Sequence, residues 1–440
     1  MEGDNRRVRI VIVGAGPVGL FAAIALGRRG HRVDVVERDP GPGAGRRERR
    51  GVPQFGHPHW FRRPVADAFA EEMPDVDAAL ARAGAHHVRS RERDEIAGIR
   101  CRRSTLERVL RQVAAGEKTL TLRHGTAVRV LHHGGRATGV QLRDGVAEAD
   151  LVINAAGASG RYADEFRAPA ERVDSGMSYL SRHYRIRPGA GSGPINSPLG
   201  FFQFFDGFAA AVFLQDGDTI GVVVIRPTAD ERLAALRSPR VFDAAARAIP
   251  GLDRWTSPAC SRPLTSVLSG GTMRSLYRGQ LDDQGAVGLP GLLHLGDAVC
   301  VTNPISGRGV ATGLLQARQL VGSLDGVRGI GDATLAFDAW CVRNIRPWYD
   351  DHVAWDADLL GQWTGDTGGL PAGPLTSGRI FLAAFADRDL KKVVSDYSEM
   401  RILPTALAAV EPRAREILTS GWQPPRYEGP TRDELARLVT

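Results

Sequence analysis

Cysteine is scarce in this chain: four in 440 residues, with no Cys-x-x-Cys or Cys-x-x-x-x-Cys pair among Cys101, Cys260, Cys300 and Cys341. That spacing argues against a disulfide framework, a zinc-ligand set and the redox pair of a disulfide reductase. Lysine is scarcer still. Only Lys118, Lys391 and Lys392 are present, so 54 of the 57 basic residues are arginine. With abundant alanine and glycine, this is the skew of a high-GC bacterial genome. The arginines are spread along the chain and interleaved with acids, which reads as a solvated surface. The formal charge of +7 therefore gives no nucleic-acid partner, and no recognition motif accompanies it. Long apolar runs are also missing: the stretch from Val18 to Leu26 is far too short to span a bilayer. Only a short polar lead precedes the first strand-like run, so the expectation is a cytoplasmic protein without membrane insertion or secretory signal. There is no internal repeat and no long low-complexity tract.

What is present suits a globular chain of two or three packed units: 43% hydrophobic and 24% charged residues over 440 positions. Val8 to Val13 is a β-branched apolar run, followed at once by Gly14-Ala15-Gly16-Pro17-Val18-Gly19. Leu20, Ala23, Ile24 and Gly27 then recur at helical spacing, and residues 33–37 alternate as a second strand. This β–turn–α–β context separates a dinucleotide-binding turn from a chance Gly-x-Gly-x-x-Gly. Gly14 permits the tight turn, Gly16 lets a pyrophosphate approach the backbone, and Gly19 lets helix and strand pack closely. The helix N-terminus offers unpaired N–H groups and a positive dipole end to phosphates. Glu37, at the end of the second strand, is placed to accept hydrogen bonds from ribose hydroxyls and to repel a 2′-phosphate.

Further along, residues 126–131 and 137–142 bracket His132-His133-Gly134-Gly135-Arg136, a hairpin pattern. Residues 149–155 form another apolar run that leads to Gly157. Strand-like runs at 201–205, 208–214 and 219–225 predict an antiparallel sheet in a second domain. A Rossmann-type strand returns at 292–297, ahead of a Pro/Gly-rich turn and a helix over about 310–321. Beyond residue 330 the pattern is mainly helical, with Pro- and Gly-rich breaks near 364–378 and 423–430.

The segment Gly296-Asp297-Ala298-Val299-Cys300-Val301-Thr302-Asn303-Pro304-Ile305-Ser306-Gly307-Arg308-Gly309 resembles the second FAD motif of the group A flavin monooxygenases, relatives of p-hydroxybenzoate hydroxylase. The glycine turn, Glu37 and this Gly-Asp motif lie in that family's order and spacing. Arg49-Arg50-Gly51-Val52-Pro53-Gln54-Phe55-Gly56-His57-Pro58-His59 is similar to the R-x-GVPQ-x-x-H-x-H segment of a natural-product branch that includes polyether-biosynthesis epoxidases. Residues 101–107 and 178–186 continue the likeness, as does Cys300, where aromatic hydroxylases usually carry His. The resemblance touches residues 8–320 and leaves the C-terminal part unassigned.

That resemblance implies an α/β protein with a Rossmann-type FAD-binding domain in two parts, 1–160 and 286–330. An antiparallel substrate domain (161–285) and a helical region (331–440) complete it. It implies FAD held by Gly14, Gly16, Pro17, Gly19, Glu37, Arg38, Arg49, Arg103, Val128, Gly157, Asp297, Pro304, Gly307, Gly309 and Val310. Asp297 would meet the ribityl chain, Arg49 and Arg103 the phosphates or ribityl, and the turn Pro304, Gly307, Gly309 would border the reacting face. A helix N-terminus there stabilises charge on reduced flavin without reorganisation. Each arginine could equally be a surface charge, and no residue is singled out as a catalytic acid or base. His57 and His59 lack companion ligands for a metal, so a hydrogen-bonding or loop role is expected.

The implied function is a hydroxylase or epoxidase of bacterial specialised metabolism, placing one oxygen atom of O2 on a small, mostly apolar substrate through C4a-hydroperoxyflavin. The sheet would hold that substrate, partly through Phe201, Phe202, Phe204 and Phe205, which could equally be plain core. NAD(P)H would supply electrons, directly or through a separate flavin reductase. The family's Asp-Gly after the third strand is here Ala156-Gly157, which favours the reductase; Asn154 or nearby arginines could stand in for the missing Asp. Two other flavoenzyme classes stay open. A halogenase needs a pocket lysine and a WxWxIP segment that the chain lacks; a dehydrogenase or saturase would use flavin without oxygen insertion. A non-enzymatic flavin-binding module would not need 440 residues.

Overall fold

The computed structural model describes residues 7–40, 49, 51–90, 93–324, 330–365, 369–424 and 428–439. Arg50 and parts of the two Pro/Gly-rich breaks lie outside them.

Five parallel strands form the first layer, in the order Leu292–His294, Leu151–Asn154, Arg9–Val13, Arg32–Glu37 and Leu120–His124. The central strand Arg9–Val13 buries four of its five residues, as parallel strands covered on both faces must. The helix Pro17–Arg28 follows the glycine turn and is apolar nearly all round, with ten residues buried from Pro17 to Gly27. It packs between the helices Arg103–Gly116 and Gly309–Leu324. The edge strand Leu292–His294 pairs with Leu151–Asn154, so the sheet is finished by a segment that follows the whole second domain. That strand is shorter than the apolar run 292–297: Gly296 takes φ +67 and turns the chain, leaving Asp297 in a short helical turn over Gly296–Ala298.

The expected antiparallel sheet is present. Gly200–Phe205, Phe208–Gln215, Thr219–Pro227, Glu171–Ile186 and Leu268–Tyr277 lie side by side, with Cys300–Val301 at the edge. Cys300–Val301 begins three residues after Asp297, so part of the same motif is also a strand of the antiparallel sheet. One face of this sheet carries a core with the helix Pro239–Ala248 and, from the C-terminus, Leu435 and Ala436. The opposite face, with Tyr179, Ala211, Val223 and Ile225, looks toward Leu359 and Trp363. The predicted hairpin forms as Ala127–His133 and Arg136–Leu142, joined by Gly145–Glu148 in a small third sheet. The region beyond 330 is helical, and Phe337, Trp348 and Tyr397 share one continuous core with Ile10, Phe21 and Leu293. Among the described residues, no helix is long and apolar enough to cross a membrane.

Candidate cofactor and substrate site

The glycine turn shows three glycines with three different physical reasons. Gly14 sits at φ +111, where a Cβ would stand 2.3 Å from the Ala155 carbonyl oxygen. A Cβ on Gly19 would stand 2.0 Å from the Gly14 carbonyl oxygen, so only glycine lets the helix start this close to the strand end. Gly16 has nothing within 4 Å on its Cβ side: it faces open space. It is also the N-cap of the helix Pro17–Arg28, and no side chain caps that end. Unpaired N–H groups at an uncapped N-terminus beside an open cavity make an anion site.

Glu37 closes the turn from the other side. Its Oε2 accepts from the Ala15 N–H at 2.8 Å and its Oε1 from the Asp39 N–H at 2.9 Å. Arg49 is buried behind it and donates to both Glu37 and Glu107, the latter at 2.7 Å. Arg103 donates to the second oxygen of Glu107 at 2.8 Å. Four charged groups thus alternate in sign from Glu37 through Arg49 and Glu107 to Arg103. Burial pushes the Glu37 carboxyl upward, but the Arg49 charge and the two backbone N–H groups outweigh it and hold it below the ordinary range. Arg103 ends this chain beside Asp297. Among the described residues Asp297 has no hydrogen-bond partner, and burial raises its pKa against the pull of Arg103. Its Oδ1 lies 3.8 Å from where a Gly309 Cβ would stand, at the start of the helix Gly309–Leu324.

One cavity of about 610 Å³ joins these features. Its wall includes Gly14, Gly16, Pro17, Gly19, Glu37, Arg38, Arg49, Arg103, Gly157, Asp297, Pro304, Gly307, Gly309 and Val310, residues from four separate parts of the chain. Val128, the remaining residue of the expected set, is not in the wall: its side chain is 52% exposed, and Thr126 and Ala127 take the lining positions. Arg49 reaches the wall with its guanidinium shared among Glu37, Asp39 and Glu107. Asn154 does not replace the missing Asp at position 156. It is fully buried, donating to His294 at 3.1 Å and accepting from the Ala156 N–H at 3.2 Å. Arg38 and Arg161 do reach the cavity wall.

Of the aromatic run, only Phe202 lines the cavity. Strand alternation sends Phe201 and Phe205 to the opposite face, where Phe205 stacks on Phe208. Phe204 packs edge-on against Phe202. Phe213, Tyr179 and Ala211, which the sequence did not single out, complete the sheet side of the wall. His57 and His59 both line it. Burial, and then the nearby His183, lowers the His57 pKa to about 4; burial and then Arg103 lowers that of His59 to about 3. Both are neutral imidazoles at neutral pH. Among the described residues, no group of three or more His, Cys, Asp or Glu is arranged to hold a metal.

The turn that borders the cavity, Pro304–Gly307, is gripped from outside by the helix Arg346–Thr364. Asn303 caps the turn, accepting from the Ile305 N–H at 3.0 Å, and donates its own amide to Asp356 at 3.0 Å. At the other end Arg308 donates to Asp351 at 2.9 Å and packs over the rings of both Trp348 and Tyr397. Arg62 donates to the Ser306 carbonyl between them. Burial, partly offset by the Asn303 hydrogen bond, pushes the Asp356 carboxyl up to about 7.

Comparison with known proteins agrees with this geometry. Residues 9–160 match the family described as FAD dependent oxidoreductase. That match takes in the glycine turn, Glu37, Arg49 and Arg103 but only about a third of the chain. Kynurenine 3-monooxygenase of Salinispora arenicola (strain CNS-205) is 54% identical over 39 residues, 9% of this chain and 9% of that protein. The chain spans only 9–11% of the length of the curated relatives it matches. In three dimensions it is similar to PqsL, a probable FAD-dependent monooxygenase from Pseudomonas aeruginosa. That match has a TM-score of 0.60 at 19% identity and covers 82% of this chain and 99% of that one. It is also similar to the flavin-dependent brominase Bmp2, with a TM-score of 0.62 at 13% identity, covering 93% and 100%. At these identities the two structures show a shared fold alone.

The residues present fit FAD. An uncapped helix end at Gly16, a ribose-type carboxylate at Glu37 and a half-buried carboxylate at Asp297 without a hydrogen-bond partner among the described residues occur along one cavity. Thr302, also in its wall, has a buried hydroxyl without a partner among the described residues.

Proposed function

We propose that this oxidoreductase is a monooxygenase that inserts one oxygen atom from O2 into a small, mostly apolar organic substrate in specialised metabolism. The observation that carries the reading is the continuity of the cavity. Its polar half, from Glu37 to Asp297, runs without a partition into a half walled by the antiparallel sheet.

In this reading the Gly16 end of the helix Pro17–Arg28 binds the pyrophosphate and Glu37 the ribose. Asp297 holds the ribityl chain, and the start of the helix Gly309–Leu324 faces the flavin ring. Bound FAD would supply the electron-transfer and O2-activating chemistry. The sheet orients the substrate and keeps water out, while the braced turn Pro304–Gly307 fixes the edge at which the two meet. Hydroxylation and epoxidation need the same arrangement. A halogenase-type pocket lysine is missing: no lysine lines the cavity, and all three are exposed.

Turnover of a neutral aromatic compound under isotopically labelled dioxygen tests the proposal. One heavy oxygen atom should enter the product. An unlabelled product, or one that forms only with added chloride or bromide, would overturn it.

A further inference from the structure

The sheet side of the cavity is built from Phe202, Ala211, Phe213, Val223 and Ile225, with Ile305 opposite. None of its strands contributes a charged side chain to the wall. Every charged lining residue, from Glu37 to Arg103 and Asp297, belongs to the cofactor-type half. Among the lining residues on its strands, Tyr179 carries the polar side chain. Tyr179 is 7% exposed, lines the cavity, and its hydroxyl has no hydrogen-bond partner among the described residues.

The ring beneath that hydroxyl is packed on two sides. A Cβ on Gly270 would stand 2.3 Å from the Tyr179 ring, so the neighbouring strand presses backbone against one side of it. His57 packs edge-on against it with centroids 4.6 Å apart. His57 is itself held by Ser181 at 2.8 Å. His57 thus backs the tyrosine. Burial raises the phenol's pKa well above its ordinary value, so it stays a neutral donor.

From this geometry we infer that Tyr179 is the specificity-determining hydrogen-bond donor of the substrate half. The substrate class is an uncharged apolar ring system carrying one acceptor oxygen, such as a ketone. A carboxylate would lose its water shell against a wall where the cation felt at Tyr179, Arg103, is already paired with Glu107. A purely hydrocarbon ligand would leave the phenol unpaired. The inference rests on the proposed function, since it places the substrate beside the flavin.

The test is binding without turnover, on flavin-loaded protein at neutral pH, read by fluorescence and by the flavin absorption band. The probes are 2-acetonaphthone, 2-naphthoate and 2-ethylnaphthalene, which are similar in size and differ in charge and acceptor. 2-Acetonaphthone should bind at least tenfold more tightly than 2-naphthoate. Tyr179→Phe should weaken 2-acetonaphthone about fivefold, the worth of one neutral hydrogen bond, and leave 2-ethylnaphthalene unchanged. Gly270→Ala, which displaces the ring, should erase the same preference while FAD is retained. Equal or tighter binding of 2-naphthoate, equal losses for both neutral probes in Tyr179→Phe, an unaffected preference in Gly270→Ala, or no binding of any probe would each overturn the inference. Since no oxygen chemistry is read, failure here leaves the labelled-dioxygen result standing, and the reverse also holds.

Discussion

Glu37 illustrates how far a single residue can be read. Its place at the end of the second strand, after a glycine turn, is a local pattern and was legible. Its buried partner Arg49 was legible only as a candidate ligand contact, because Glu107, another carboxylate on that arginine, is 58 residues further along. Arg49→Met should strip Glu37 and Asp39 of the Arg49 charge and leave Glu107 paired with Arg103 alone. The expected loss is about 3–5 kcal/mol of stability, together with FAD, measured by denaturant unfolding and flavin content. Arg49→Lys should recover only part of it, since one ammonium cannot serve these carboxylates in the guanidinium's fork geometry. Asp297→Ala should weaken FAD binding by about 1.5–3 kcal/mol with little effect on folding, because no described residue depends on that carboxylate. Unchanged FAD retention would remove Asp297 from the site. At position 156 the missing carboxylate is not replaced by Asn154, which is committed behind the wall. We therefore expect slow direct reduction, below about one per minute, by NADH or NADPH in anaerobic stopped flow, with rescue by an added flavin reductase. Bleaching at tens per second without a reductase, an ordinary enzymatic rate, would reject that expectation.

At the level of elements, the helix Arg346–Thr364 is the part least visible beforehand. Helical patterning announced it, but nothing local says that Asp351 and Asp356 reach back to Arg308 and Asn303 at either end of the cavity turn. The aromatic run is the opposite lesson. Four phenylalanines were visible, yet the strand's period of two assigns them to opposite faces, and only register against the next strand tells which face meets the cavity. Asp356 supports a sign-definite test. Its folded pKa, about 7, lies above its ordinary 3.8, so the native state binds the extra proton between those values. Its contribution to stability therefore falls as pH rises from about 4 to 7. Asp356→Asn keeps an acceptor for Asn303 and removes the titration. The variant should gain on the wild type by on the order of 2–4 kcal/mol between pH 4 and pH 8. A difference in thermal unfolding that does not change with pH would show that Asp356 is not held protonated.

Across the whole molecule, the β–turn–α–β start and the Gly-Asp segment made the two-part architecture legible, because each carries its own turn chemistry. How the helical C-terminal region merges into the same core was not legible, since long-range packing leaves no spacing in the chain. The buried imidazoles give the molecule a collective acid response. His57, His59, His183, His294 and His352 all have pKa values depressed chiefly by burial. Unfolding lets them take up protons, so stability should drop by several kcal/mol as pH falls from about 6.5 to 4. An unfolding midpoint that is flat over that range would contradict their burial. The edge strand Leu292–His294, which completes the first sheet and leads into Asp297, also sets a clock during synthesis. At roughly 5–20 residues per second, a ribosome needs roughly 15–60 s to reach it. Throughout that interval the glycine turn exists without its counterpart, a half-formed cradle exposed to the cell. A stalled nascent chain ending before residue 290 should retain no flavin, and one extended past residue 330 outside the exit tunnel should capture it.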